Sequence, residues 1–413
     1  MGLWKKTSTV ALGKALEYYD LAVYVALAVY IKQKFLPDSV FGVYQEAIFW
    51  LMFGLRYVAR PVSGYLLGRY ADQYGKRNTL VLISLCTGVA TVVLACLPTY
   101  EQIGITATLI FFSMQMVQSL FFAGETATAY AYILEQAKPN QRSRACAALG
   151  TALILSFILS FGITSSLESW LTAEQMHQFG WRIPMLFGLF NIMLSYYLRS
   201  KLNEVSSPQR QRFVFKQEWP AVLKVVSVFA PSAMLFHCSI ANLTTLKKFV
   251  TEQQLDLAFD LPLLFKLLTL VFAGGFSCWI DQRSSCEKAF KATCLAMMVL
   301  GVPVYYLQSL QTLPAVMASQ LLITILLSLV LSALGEVVYR GIRSQAKVAV
   351  YALGMNLGSL FFGAFVPMLT TYLMTISGFL PGLLWLFAAG CYFAASSERF
   401  AIVTQPKPSA HVV

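Results

Sequence analysis

Apolar runs of roughly 20 residues, the length a bilayer core asks of each helix, recur along the whole chain, each closed by a charge cluster, a proline or a glycine. They predict spans near 11–31, 46–69, 79–97, 104–134, 145–167 and 181–198, then near 220–243, 258–280, 290–308, 314–338, 345–372 and 378–396. The polar stretch RSKLNEVSSPQRQRFVFKQE, 199–218, separates two groups of six. The expected fold is an all-α membrane protein with twelve transmembrane helices in two pseudo-symmetric six-helix bundles. The bundles cover 1–198 and 219–397, with a cytoplasmic linker at 199–218 and a cytoplasmic tail at 398–413. An internal echo supports the duplication. GRYADQYGKR follows the second span and SCWIDQRSSCEK the eighth, so each half carries Asp-Gln at the same helix end, at Asp72 and Asp281. Such repeats mark secondary transporters.

Composition agrees with this class. The chain has 413 residues, 57% hydrophobic and 12% charged, about half the charge of a soluble domain. A net charge of +12 would suit a nucleic-acid partner, but its distribution says otherwise. With the N-terminus inside, most of the 31 Lys and Arg fall on one side, from Lys5 and Lys6 through Lys76, Arg77, Arg142 and Arg144 to Arg199, the rest of the 199–218 stretch, Arg340 and Arg343. The other side holds Lys32, Lys34, Arg182, Lys247 and Lys248. That asymmetry sets both termini in the cytoplasm and makes membrane lipid, not nucleic acid, the partner of the basic charge. The start MGLWKK imitates a secretory signal, but Glu17 and Asp20 interrupt the run behind it and no small-residue cleavage site follows, so it reads as a retained first span. Lys6 stands where a myristoylation signal needs Ser or Thr. The eight cysteines form no CxxC pair and the three histidines are scattered, so neither structural disulfides nor a metal site is expected.

Charge inside the spans is the candidate chemistry. Lys14, Glu17 and Asp20 share one face of the first helix, with Tyr24 a turn beyond. Arg56 and Arg60 lie one turn apart on the second helix, and Glu125 in the fourth. At 1.5 Å per residue, Asp20, Arg56 and Arg60 fall near the midplane, with Glu17, Lys14 and Glu125 toward the cytoplasm. Each charge alone costs about 2.5–3.5 kcal/mol at a helix centre, so three cations and three anions are expected to pair between helices one, two and four. Asp20 is the candidate proton carrier at the interface of the halves, paired with Arg56 or Arg60. Arg56 either joins that network or meets a substrate carboxylate, to which Arg binds bidentately. His237 on span seven lines the cavity or packs, as do Tyr18, Tyr19 and Tyr24. Lys224 and Lys266 line the second half or snorkel. Glu336 is expected to pair with Arg340 or Arg343.

The loop GRYADQYGKR resembles the loop motif of the major facilitator superfamily, through Gly68, Ala71, Asp72, Gly75, Lys76 and Arg77; Tyr70 and Gln73 depart from it. Gly68 and Gly64 permit close helix crossing, Gly75 permits a tight turn, and Asp72 can pair with basic groups or face a helix N-terminus. GKALEYYDLAVY, VARPVSGYLLGRYAD, QSLFFAGE, GWRIPML and LRSKLNE are similar to segments of that superfamily's metabolite:proton symporters. Glu336, Arg343, Tyr351, Asn356, Gly363 and Pro367 continue the pattern, whereas 205–330 matches poorly. The resemblance implies the major facilitator fold, no cofactor, a monomer in the bacterial inner membrane, and relatives that carry proline/betaine, citrate, 2-oxoglutarate or shikimate. It also implies proton-coupling roles for Asp20, Glu17 and Glu125 and gating by Gly68, Asp72, Gly75, Lys76 and Arg77, while Arg56, Arg60, Lys14, Tyr24 and His237 are candidate substrate contacts from their own chemistry and position. Three departures stand out. Lys14 replaces an Asn, Gln115 replaces an Arg, and Arg56 is an added cation. The short tail after Glu398 lacks the heptads of an osmosensing coiled coil.

The expected function is proton-coupled uptake of a small organic acid, amino acid or zwitterionic osmolyte by alternating access. An exporter or exchanger of the same fold, and a sensor that binds solute without moving it, are the competing readings. HExxH, GxSxG and GxxxxGK[ST] are absent, which disfavours an enzyme and ATP-driven transport by this chain.

Overall fold

The computed structural model describes residues 2–203, 215–252, 260–344, 346–364 and 366–396. The 398–413 tail and residues 204–214 of the expected linker lie outside the described residues. The first six long helices are α1 (Leu3–Ala26), α2 (Gln45–Tyr74), α3 (Lys76–Cys96), α4 (Ile105–Leu134), α5 (Arg142–Trp170) and α6 (Arg182–Ser200). The second six begin with α7 (Phe215–Glu252), α8 (Leu261–Arg283), α9 (Cys286–Ser309) and α10 (Leu313–Gly341). Then α11 runs Lys347–Ser359, passes through a π turn at Leu360–Ala364 and resumes at Val366–Ile376, and α12 is Gly382–Ser396.

Each expected span has its helix; the differences lie at the ends. α1 begins at Leu3 rather than near 11 and continues past a turn at Leu27 as Ala28–Phe35. Its first turns carry Lys5 and Lys6, which hydropathy counts against a span although nothing in them stops helical hydrogen bonding. α2 and α3 are separated by Gly75 alone, at φ +98°, a conformation that glycine adopts without a steric penalty. Among the described residues, eight helices are apolar and long enough to cross a bilayer by length and composition alone. α1 and α2 are not among them, because Lys14, Glu17 and Asp20 on one and Arg56 and Arg60 on the other lower their hydropathy.

The packing repeats with a period of six helices. In the first half α1 packs on α5 and α6, α4 on α2 and α3, and α3 on α6. In the second half α7 packs on α11 and α12, α10 on α8 and α9, and α9 on α12. The halves meet where α2 lies along α11 and α5 along α8 and α10. Gly68 makes the first contact possible: a Cβ there would come 2.6 Å from Ala349 Cα and 2.8 Å from its nitrogen. Lys6, Lys76, Arg142 and Arg340 gather at one end of the bundle with Gln136, Glu135 and Glu336. We call that the basic end and its opposite the far end.

Candidate transport site

The six charges expected to form one cluster divide into two, and a seventh joins them. Arg199, counted with the basic linker, is the last arginine of α6, and its side chain is 0% exposed. Its Nη1 lies 2.7 Å from Glu17 Oε1 and its Nη2 2.5 Å from Glu125 Oε1. Nη1 also donates to Ser84 Oγ at 3.1 Å and to the Leu80 carbonyl at 3.0 Å. Ser84 and Ser195 both donate to Glu17 Oε1. Lys14, one of the cations expected to pair with these acids, instead donates to the Leu149 carbonyl at 3.0 Å. Its ammonium sits 5.0 Å from the Tyr130 ring centre and 5.3 Å from that of Tyr18, still within electrostatic reach of Glu125. Arg199 takes the place with a planar guanidinium whose two terminal nitrogens fork to the two carboxylates. Two cations and two anions therefore balance on the basic-end side of α1.

Asp20 stands apart, at the centre of the 3–35 helical rod. It faces α3 and α6 inside the first half rather than the interface of the halves. Among the described residues it makes no ion pair, so the expected pairing with Arg56 or Arg60 is not formed. Its Oδ2 accepts from Thr91 Oγ1 at 2.6 Å, and Thr91 in turn accepts from Gln118 Nε2 at 2.8 Å. Tyr24, expected to touch substrate, is buried beside Gln118 and packs edge-on to Phe111. The other carboxylate oxygen of Asp20 rests against Gly188, where a Cβ would collide with it. A recess between α1, α2, α3 and α4 is lined by Glu17, Asp20, Arg56, Thr87, Gln118, Ser119 and Phe122.

Across that recess, Arg56 Nη1 donates to Gln115 Oε1 at 2.5 Å. Two of the departures thus compensate each other: the cation that helix four lacks at 115 is supplied from α2 and lies against the same position. Arg60 donates from Nε to Ser119 Oγ at 2.9 Å, and Ser119 donates to the Arg56 carbonyl. The Arg60 guanidinium lies 4.3 Å from the Tyr57 ring centre and 5.8 Å from that of Phe122. Tyr57 meets His237 of α7 edge-on at 6.3 Å. His237 Nδ1 pairs with the Ala233 carbonyl at 2.8 Å, and its ring fills the space that Gly363 leaves in the π turn of α11. Arg60 and His237 therefore sit at the seam between the halves, whereas Asp20 and Glu17 sit behind it.

The basic end is closed by bonds between the halves. Asp72 at the end of α2 accepts from Val348 N–H at 3.2 Å and Ala349 N–H at 3.0 Å, the first turn of α11. Asp281 at the end of α8 accepts from Ser143 N–H at 2.9 Å and Arg144 N–H at 3.1 Å, the first turn of α5, and pairs with the Arg144 side chain at 3.0 Å. The repeated Asp-Gln thus builds the same latch twice, a carboxylate on a helix N-terminus. Lys76 pairs with Glu135, Tyr339 donates to Glu135 at 2.6 Å, and Arg77 donates to the Ser200 carbonyl. Glu336 pairs with Arg340 as expected, and with Arg142 of the other half in place of Arg343.

Sequence reasoning missed Arg199, Thr91 and Ser84. The hydroxyls at 84, 87 and 91 recur at helical spacing in an otherwise apolar span, and that was the available signal. Arg199 gave none, because an arginine at a span end reads as topology.

Two six-helix halves related by an internal repeat, with buried charge between the helices and latches at one end, define a secondary transporter. The chain matches the Major Facilitator Superfamily over residues 10–367 and belongs to it. It is 24% identical over 426 residues to the citrate-proton symporter of Klebsiella pneumoniae, covering 96% of this chain and 92% of that protein. It is 24% identical over 402 residues to the ectoine/proline transporter of Corynebacterium glutamicum, covering 89% and 77%. Among solved structures, the proton:xylose symporter XylE matches with a TM-score of 0.74 at 13% identity, covering 97% and 96% of the two chains. The human organic anion transporter MFSD10 matches with a TM-score of 0.67 at 15% identity, covering 98% and 100%. The protein is an integral membrane secondary transporter of this superfamily.

Proposed function

We propose that the protein takes up a small organic acid, amino acid or zwitterionic osmolyte together with protons, by alternating access across the bacterial inner membrane. Both termini are cytoplasmic in this reading, so the basic end faces the cytoplasm and the described state is closed there. The observation that carries it is the Asp20 site: a buried mid-helix carboxylate with one hydroxyl partner, no cation on it among the described residues, and a recess leading to Arg56. The charged and titratable groups acting on Asp20 are Glu17, Tyr19 and Tyr24 of α1 and, through Tyr24, Arg56 of α2. α3 and α6 present Thr91 and Gly188. Glu17 and Glu125 both face the Arg199 guanidinium, so losing either charge would leave that buried cation short of a partner, whereas Asp20 carries no such cost. Names of relatives that include a citrate-proton symporter support the coupling.

The test is reconstitution in liposomes with a pH gradient. Asp20→Asn is expected to abolish gradient-driven accumulation while sparing exchange of solute down its own gradient. Accumulation at the parent rate in the variant would remove Asp20 as the carrier.

A further inference from the structure

Six buried charges and the half-buried Arg60 leave a surplus that says what kind of solute fits. Lys14 and Arg199 balance Glu17 and Glu125. Asp20 then remains against Arg56 and Arg60, one carboxylate for two guanidinium groups. The second half adds no acid at this depth: from 219 to 251, 261 to 280, 288 to 309 and 313 to 335 the sequence contains no Asp or Glu. A solute with a cationic group has a second possible host in an aromatic cage. The rings around the site already carry the protein's own cations. Arg60 lies over Tyr57 and Phe122, and Lys14 lies over Tyr18 and Tyr130. Asp20, the remaining acid, is turned toward Thr91 and Gly188, away from α2.

We infer that the solute is a carboxylate anion with no compensating cation, received by Arg60 at the seam and Arg56 behind it. This rests on the transporter reading and narrows its solute class, setting amino acids and betaines aside. Ser119 prepares the site: it accepts from Arg60 Nε and donates to the Arg56 carbonyl, which fixes the Arg60 side chain and leaves its terminal nitrogens for a carboxylate. Planar, bidentate pairing is the geometry guanidinium offers such a group. Protonating Asp20 removes the opposing charge and raises the surplus to two, so proton and anion assist each other's binding, as linkage requires.

The purified protein in proteoliposomes is tested for counterflow of labelled lactate, malate and citrate against glycine betaine and proline, with thermal shift of the detergent-solubilised protein by the same five compounds. At least one carboxylate is expected to exchange at ten or more times the rate of glycine betaine and proline. Arg60→Gln is expected to lower that exchange by about tenfold or more with its unfolding midpoint near the parent's, and Arg60→Lys to recover part of it. Exchange of glycine betaine or proline as fast as any carboxylate overturns the anion assignment and leaves the transporter standing. Carboxylate binding without exchange supports the anion site and overturns transport. Neither binding nor exchange of any carboxylate overturns the assignment. Should Arg60→Gln fail to fold, Arg60→Lys decides: lowered exchange at unchanged stability supports the site, and parent behaviour overturns it.

Discussion

Replacing Arg199 by methionine tests the charge balance of the first half directly. The side chain is fully buried and holds Glu17 at 2.7 Å and Glu125 at 2.5 Å. Methionine conserves much of the volume, so packing is largely kept while the cation is lost. The group formed by Lys14, Glu17, Glu125 and residue 199 goes from neutral to one net negative charge. Removing one partner of a buried pair costs about 3–5 kcal/mol, because the remaining charge keeps its desolvation penalty. At about 2 °C per kcal/mol for a large domain, the unfolding midpoint should fall by roughly 6–10 °C. The second arm adds Glu125→Gln. In the double variant Lys14 and Glu17 again balance, so more than half of the lost stability should return, a coupling of about 2 kcal/mol or more. Differential scanning fluorimetry on the four proteins (parent, two singles, double) reads the cycle. A midpoint for Arg199→Met within about 1 °C of the parent, or strictly additive singles, would refute the reading of Arg199 as the charge partner.

Three further outcomes follow from the same geometry. Gly188→Ala puts a methyl group into the slot that receives the Asp20 carboxylate; accumulation driven by a pH gradient should fall several-fold more than solute exchange, and equal loss of both would indicate a packing defect only. Asp72→Asn and Asp281→Asn each weaken one latch, so spin labels on the basic ends of α2 and α11 should report a larger separated population. An unchanged distance distribution in both variants would show that the latches do not hold that end. Asp72→Asn combined with Asp281→Asn should shift the population by about the product of the two single effects, since the two sites share no residue.

The helix count, the two halves and the repeated Asp-Gln were readable because a bilayer imposes a single length scale on apolar runs and because α2 and α8 both carry Asp-Gln just before a short turn. Which charges pair was not readable. Glu17 was grouped with Lys14 by spacing along α1 and Glu125 by its depth in α4, yet their partner arrives from α6, which is remote in sequence and adjacent only once the half has folded. Asp20 was placed near the interface of the halves from its depth alone. Depth follows from counting residues, but the direction a side chain faces depends on which neighbour leaves room, and Gly188 and Thr91 on α6 and α3 provide it. The compensation between Gln115 and Arg56 was hidden for the same reason: two departures that look independent in sequence face each other across α2 and α4.

The strength of the basic end can be set against what transport asks of it. A carboxylate on a helix N-terminus contributes about 0.3–1 kcal/mol when exposed and up to about 2 when partly buried, and Asp72 and Asp281 are each well covered by the opposite half. The pair therefore supplies a few kcal/mol, to which Glu135 with Tyr339 and Arg142 with Glu336 add. Converting a 1:99 equilibrium into 99:1 takes about 5.5 kcal/mol of differential binding. In the proposed cycle, a proton on Asp20 and an anion on Arg56 and Arg60 would together offset latches of that size, whereas the N-terminal quartet makes its contacts within the first half and spans no seam that the cycle must open. The quartet ties α1, α3, α4, α5 and α6 together within the first half, so in the proposed cycle the differential energy of the ligands would fall on the α2–α11 and α5–α8 contacts, where each latch spans the two halves.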